Sequence, residues 1–238
     1  MRILAFETSA RAASVALVEG GRLVGEYYQN CGQTHSRTLM KMAENLLENC
    51  GLSPQDVQAV ACASGPGSFT GVRIGVAAAK GFAWGAEKPC VGVSTLAAMA
   101  QQAASFEGIV CCAMDARRQQ VYNALFSCEG GVLRRMTEDR AISLEELAQE
   151  LKKLEKPKIV VGDGAQLCYN TIVQDVPGLI LAPEHTTMQR ASGVALCAGE
   201  LLDGGGDFSG AALTSNYLRL SQAERERAER LQHREGDV

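Results

Sequence analysis

The chain carries one pattern twice, 108 residues apart. Ala5-Phe6-Glu7 is answered by Ala113-Met114-Asp115, and Ala16-Leu17-Val18 by Ala124-Leu125-Phe126. Gly20-Gly21-Arg22-Leu23 is answered, two inserted residues later, by Gly130-Gly131-Val132-Leu133. Each copy reads as a strand ending in a carboxylate, a polar connection, a second strand and a Gly-Gly turn into a third. A chain of this kind folds as two halves on one plan, each opening with a meander.

Beyond each meander, strands alternate with helices. Leu39, Ala43, Leu46, Leu47 and Cys50 recur at three and four positions, which predicts an amphipathic helix over 34–50 stopped by Gly51. Strands are predicted over 59–63 and 90–93, a loop over 64–70, and helices over 71–86 and 95–104. In the second half, strands are expected over 109–114, 158–161 and 179–182, and helices over 166–173 and 188–202. Ser143-Leu144-Glu145-Glu146 is a capping box that opens a further helix. The class is therefore α/β, with mixed sheets flanked by helices. We draw the lobes at 1–105 and 106–212, with Gly204-Gly205-Gly206 as the clearest linker. The terminal stretch 213–238 is expected as a helix packed on the first lobe, its portion 223–234 made mostly of Glu and Arg.

Composition excludes several classes. With 46% hydrophobic and 21% charged residues the chain is globular, and no apolar run approaches the roughly 20 residues of a spanning helix. Neither a secretory signal nor a membrane anchor is visible, which predicts a cytoplasmic protein. Nine cysteines without a C-x-x-C pair form no disulfide or metal framework and read as small buried hydrophobes. The net charge of -4 is uneven: +1 over 1–105, -5 over 106–212 and zero over 213–238. That balance argues against a stand-alone nucleic-acid binder.

Three constellations carry chemistry. Gly65-Pro66-Gly67-Ser68-Phe69-Thr70-Gly71 lies between a strand and a helix, where backbone N–H groups can meet an anion. It matches neither the P-loop nor the dinucleotide spacing, and Glu87 precedes its strand and cannot reach a ribose. Glu7-Thr8-Ser9 closes the first strand, and Asp115 is its counterpart in the repeat. Two carboxylates across a cleft would suit Mg-nucleotide hydrolysis, but Asp115-Ala116-Arg117-Arg118-Gln119 has no glycine to let the backbone curl around a phosphate. The alternative is that Glu7 only binds turn N–H groups. Third, the helix over 71–86 carries Gly71, Gly75 and Ala79, then Gly81 and Gly85, although each glycine costs roughly 1 kcal/mol relative to alanine. Either that line packs inside its own sheet, or it forms a subunit interface shared with the helix over 34–50. His35, His185 and His233 stand alone, so no zinc site, no Ser-His-Asp relay and no catalytic residue is assigned.

Ile3 to Leu17, Thr34-His35-Ser36, Ala63 to Lys80 and Tyr217-Leu218-Arg219 together resemble the TsaB (YeaZ) family, bacterial proteins of tRNA threonylcarbamoyladenosine biosynthesis. The resemblance runs over essentially the whole chain. It implies two RNase H-like lobes of the actin, Hsp70 and sugar-kinase (ASKHA) type. It also implies a non-catalytic partner of TsaD, the enzyme that transfers a threonylcarbamoyl group to N6 of adenosine 37 in tRNAs reading codons that start with A. Two metal-binding histidines of TsaD are matched here by Thr95 and Met99, and its second-lobe Gly-Gly stretch by Asp115 to Gln119. The family assigns the glycine-lined helix and its neighbour to a contact with TsaD, or with a second copy in isolation, joined by the ATPase TsaE. On this chain that implies His35, Leu39, Met42, Ala43, Leu46, Gly71, Ile74, Gly75 and Ala78 as interface residues. Glu7, Thr8, Ser9, Gly65, Gly67, Ser68 and Thr70 remain as a vestigial nucleotide or anion loop. No cofactor of its own is implied, with ATP or ADP at the subunit contact, and tRNA would be reached indirectly through the complex. The rival class is a vestigial ATP-binding module or a small ATPase or kinase using Glu7 and Asp115.

Overall fold

A computed structural model describes residues 1–219. The charged stretch 223–234 and most of the expected terminal helix lie outside them, and 213–219 form no helix.

Strands β1 (Arg2–Glu7), β2 (Ala13–Glu19) and β3 (Arg22–Gln29) form the first meander, with Ala5 opposite Ala16 and Glu7 opposite Ser14. Helix α1 (His35–Asn49), strand β4 (Ala59–Gly65), helix α2 (Phe69–Ala86), strand β5 (Cys90–Ser94) and helix α3 (Thr95–Gln101) follow. The sheet order is β3-β2-β1-β4-β5, with β4 parallel to β1 and β5 parallel to β4. Almost every residue of β1, β2 and β4 is buried because helices cover both faces of the sheet, which is why these strands read as continuous apolar runs.

The second copy repeats the plan. Strands β6 (Gly108–Asp115), β7 (Gln120–Glu129) and β8 (Val132–Arg135) form its meander. A further strand, β9 (Arg140–Ser143), pairs with the first residues of β7. Then come helix α4 (Leu144–Lys152), strand β10 (Lys158–Val161), helix α5 (Ala165–Ile172), strand β11 (Leu179–Leu181), the short helix α6 (Glu184–Thr187) and helix α7 (Ala191–Gly204). The order β11-β10-β6-β7-β8 mirrors that of the first sheet, so β6 stands for β1 and β10 for β4. This is the two-lobed ASKHA architecture. The Ser143 box closes in both directions: Glu146 N–H donates to Ser143 Oγ at 3.1 Å, and Ser143 N–H to Glu146 Oε2 at 3.2 Å.

Four apolar clusters cover the two sheets. Helices α1 and α2 lie on one face of the first sheet through Leu39, Leu46, Val72 and Val76, over Phe6, Leu17 and Cys62. Its other face is covered by α3 and α7. Helix α3 serves both halves, since Leu96 and Met99 pack with Val110, Cys112 and Phe126 of the second sheet. Helices α4 and α5 cover that sheet's remaining face.

Here the boundary drawn at 212 needs moving. Helix α7 packs on the first sheet, with Val194, Ala195 and Ala198 against Ile3, Ala16 and Val93. A Cβ on Gly193 would overlap the Ala98 carbonyl oxygen, so α7 and α3 touch backbone to backbone. The next stretch stays on that lobe: Leu213 enters the α1–α2 cluster, and Asn216 N–H donates to Ser64 O at 2.7 Å. Thus the chain crosses to the second lobe and returns at about residue 191.

All nine cysteines are free, and only Cys31 is exposed. Burial pushes the thiols of Cys90 and Cys197 up to about 11, which keeps them protonated and unreactive.

Candidate functional site

Strands β1, β4, β6 and β10 present their carboxyl ends, where ligands sit in open α/β sheets, and Asp163 just after β10 lies within charge range of both Glu7 and Asp115, so the ends of the two sheets face each other across a crevice. Glu7, the last residue of β1, is 1% exposed. Its Oε1 accepts from Ser9 N–H at 2.5 Å, while its Oε2 and the buried Ser9 Oγ have no partner. Burial pushes the carboxyl up to about 7, against the lowering effect of its bonds to Ser9, and Asp163 adds to the rise. A carboxyl held there is only about half ionised at neutrality.

The loop after β4 is closed on itself. Ser68 N–H donates to Ser9 O at 2.7 Å, and Gly71 N–H to Ser68 Oγ at 3.3 Å. Val72 N–H donates to Ser68 O at 2.8 Å. Ser68 N–H and Gly71 N–H are thus taken up within the chain, and Val72 N–H makes the first regular helical bond, so these three are not open to an anion at the loop of Gly65, Gly67, Ser68 and Thr70. Gly65 has φ +118°, and a Cβ there would overlap Asn216 O, so the returning segment lies directly on the loop. A Cβ on Gly67 would likewise overlap Ser9 O, so both glycines serve close packing.

Asp115, at the end of β6, bonds Arg117 N–H through Oδ1 at 2.7 Å and lies 3.4 Å from the Arg117 guanidinium. Arg117, Arg118 and Gln119 all take positive φ, at 65°, 56° and 58°. The backbone therefore curls without glycine, at roughly 1–2 kcal/mol per residue, and the Asp115 carboxylate takes up the Arg117 N–H inside the turn. Asp163, which the motif analysis does not single out, stands in the same crevice. Burial raises its carboxyl, Gln189 Nε2 donating at 2.8 Å offsets part of that, and Asp115 adds to the rise. The repeat contains the signal: Gly162-Asp163-Gly164 after β10 is the counterpart of Gly65-Pro66-Gly67 after β4. Thr95 and Met99 are buried, the latter in the second lobe's apolar cluster. Among the described residues, no three His, Cys, Asp or Glu side chains gather as a metal site.

The helix pair presents a different face from the one assigned. Leu39, Met42, Ala43 and Leu46 all point into the first lobe's core, as their apolar spacing requires. Gly71 and Gly75 are also inward. Thr8 Oγ1 donates to Gly71 O at 2.8 Å, a Cβ on Gly71 would overlap Thr8 O, and one on Gly75 would lie 2.5 Å from Thr8 Oγ1. These six cannot touch a partner without unpacking the lobe. Of the assigned set, His35, Ile74 and Ala78 keep part of their surface exposed, and His35 Nε2 lies 2.9 Å from Ala10 O.

What α2 offers outward is Arg73, Ala77, Gly81, Trp84 and Gly85, with Ile74, Ala78 and Phe82 half-buried beside them. A Cβ on Gly81 or Gly85 would meet nothing within 4 Å. Trp84 is 86% exposed and borders a groove of about 1120 Å³ lined also by Lys80, Lys88 and Phe208. Val72, Val76, Ala79 and Ala83 fix the inward phase, and that phase is the clue that Gly71 and Gly75 turn in while Gly81 and Gly85 turn out.

A family model for TsaD, tRNA N6-adenosine threonylcarbamoyltransferase, matches residues 29–196. The tRNA threonylcarbamoyladenosine biosynthesis protein TsaB of Bacillus subtilis is 34% identical over 94% of this chain and 96% of that relative. Its Escherichia coli namesake is 40% identical over 70% of this chain and 73% of that relative. The solved structure of YeaZ from Pseudomonas aeruginosa superposes with TM-score 0.75 over 91% of this chain and 99% of that one, at 27% identity. With matches of this length to both sequence and fold, the chain belongs to the TsaB (YeaZ) family.

Proposed function

We propose that this chain is a non-catalytic subunit in the biosynthesis of threonylcarbamoyladenosine in tRNA. It binds a TsaD-type enzyme and holds it in its working shape, with TsaE joining the pair, for transfer of the threonylcarbamoyl group to N6 of adenosine 37. In isolation the same face meets a second copy. The observation that carries this reading is the outer side of α2, where Ala77, Ala78, Gly81 and Gly85 leave a shallow ridge flanked by Ile74, Phe82 and Trp84. Exposed small residues let a second helix approach closely, and the flanking apolar groups supply area to bury. The crevice supports the non-catalytic half of the proposal. The Ser68 and Gly71 N–H groups of its loop are bonded internally, and its carboxyls at Glu7 and Asp163 are raised by burial.

The test is reconstitution of the modification with TsaD, TsaE and the adenylate-forming enzyme, this chain omitted and then restored. Modification is expected to collapse on omission and to return on addition, with no ATP turnover by the chain alone. A Gly81→Leu variant should match or exceed the parent's thermal midpoint, because the site is open and leucine is the better helix former, yet fail to restore activity. Full restoration by Gly81→Leu would overturn the assignment of the α2 face. ATP turnover abolished in Glu7→Gln would favour the kinase-like alternative.

A further inference from the structure

Charge counted along the sequence hides a cluster that the fold assembles. Arg11 is exposed at the β1–β2 turn, Arg73 on α2, and Arg117 and Arg118 at the β6–β7 turn. Arg219 completes the set, its guanidinium donating to Ala116 O at 2.9 Å. Hydrogen bonds tie these segments together. Ser68 at the start of α2 is bonded to Ser9 of the β1–β2 turn, and Tyr217 reaches both α2 and, through Arg219, the β6–β7 turn. The five arginines therefore lie on segments that these bonds join across both lobes, and we call them the arginine rim.

Only one of them is neutralised. Asp115 lies 3.4 Å from Arg117, whereas Arg11, Arg73, Arg118 and Arg219 have no ion-pair partner among the described residues. Beside them sits a stack of planar groups. The Phe69 and Tyr217 rings lie 4.7 Å apart, the Arg73 guanidinium lies 3.9 Å over Phe69, and Arg73 Nε donates to Tyr217 Oη at 3.1 Å. Such a concentration is at odds with a net charge of -4. Guanidinium forks match phosphate oxygens two at a time, and aromatic and guanidinium faces stack on unpaired bases. An acidic protein would use the arginines but not the stack.

We propose that this arginine rim contacts the phosphate backbone of the RNA undergoing modification directly, with the Phe69–Arg73–Tyr217 stack against its unpaired bases. The choice of RNA among polyanions rests on the function proposed above. The contact adds a second foothold for the RNA beyond the catalytic subunit.

The experiment uses the full chain and a fluorescently labelled tRNA, with anisotropy read over a salt series starting near 50 mM. Arg11→Glu/Arg117→Glu/Arg118→Glu is expected to weaken binding at least tenfold and to flatten the dependence of log affinity on log salt by about one unit for each phosphate no longer neutralised. Arg118→Gln alone should weaken it a few-fold. Lys152→Glu/Lys153→Glu, at the exposed end of α4, should change it less than twofold. Binding of a TsaD-type subunit is measured in parallel and is expected to be unchanged in all variants. Equal RNA affinity in the triple variant and the parent would overturn the proposal, as would equal losses in the lysine control. So would loss of TsaD binding with RNA affinity intact, which would make the rim a protein contact. Arginine-dependent RNA binding by a chain that does not bind TsaD would leave this inference standing and remove the partner reading.

Discussion

Thr8 and Gly71 are interlocked: Thr8 Oγ1 donates to the Gly71 carbonyl at 2.8 Å, and the Thr8 carbonyl fills the space that a Cβ on Gly71 would need. Gly75, one turn on, faces Thr8 Oγ1 in the same way. The end of β1 and the first turns of α2 thus touch backbone to backbone. Overfilling a packed contact typically costs about 1–3 kcal/mol, and backbone cannot yield as a flexible side-chain end can. Gly71→Ala is therefore expected to lower stability by about 3 kcal/mol in urea titration, and Gly75→Leu to leave little soluble folded protein. Gly81→Leu should unfold at or above the parent's midpoint, since its site is open and a helical glycine costs roughly 1 kcal/mol. Equal midpoints for Gly71→Ala and Gly81→Leu would contradict the packing described.

Glu7 gives stability a pH dependence of defined sign. Its carboxyl is raised from 4.5 in the unfolded chain to about 7 in the fold. The folded state therefore binds more protons than the unfolded one between those values, and stability falls as pH rises through that window. Below pH 4.5 the penalty is absent, and above pH 7 it is complete, at roughly 3 kcal/mol as an upper figure. Glu7→Gln keeps an acceptor for Ser9 N–H and removes the titrating group. Urea unfolding at about pH 5 and about pH 8 should show the variant gaining on the parent at the higher pH. A parallel loss for both proteins between the two pH values would assign the dependence to other groups.

The periodic parts of the molecule are legible in the sequence, and the relations between distant segments are not. The 108-residue repeat marks the two meanders, because strand-turn-strand units are set by local chemistry. The Ser143 box opens α4 where expected. Helix α7 reads as a helix, but its small apolar side chains fit either sheet, and only the crossing at Gly193 and Ala98 decides which. Glycine spacing points to the wrong outward face of α2, and the phase of Val72, Val76 and Ala83 points to the right one. Asp163 escapes a comparison of the two copies that stops at the meanders. The arginine rim is invisible in the sequence because Arg11, Arg73, Arg117 and Arg219 are far apart in the chain, and their segments are joined only by bonds such as that of Arg219 to Ala116 O.

Trp84 is the chain's single tryptophan and is 86% exposed at the outward end of α2, so its emission reports on this face alone. An indole so placed emits as in water, and covering it by an apolar partner surface moves its emission to shorter wavelength. Titration with a tryptophan-free TsaD-type subunit is expected to produce that blue shift, saturating at one partner per chain. Concentrating the chain alone should produce it too if a second copy uses the same surface. Trp84→Ala should leave the fold intact, since the side chain contributes little buried area, and weaken partner affinity at least tenfold, because exposed aromatics that become buried carry a disproportionate share of interface energy. A partner that binds tightly while the emission stays unchanged would place the contact elsewhere and leave the groove beside Phe208 as an independent feature.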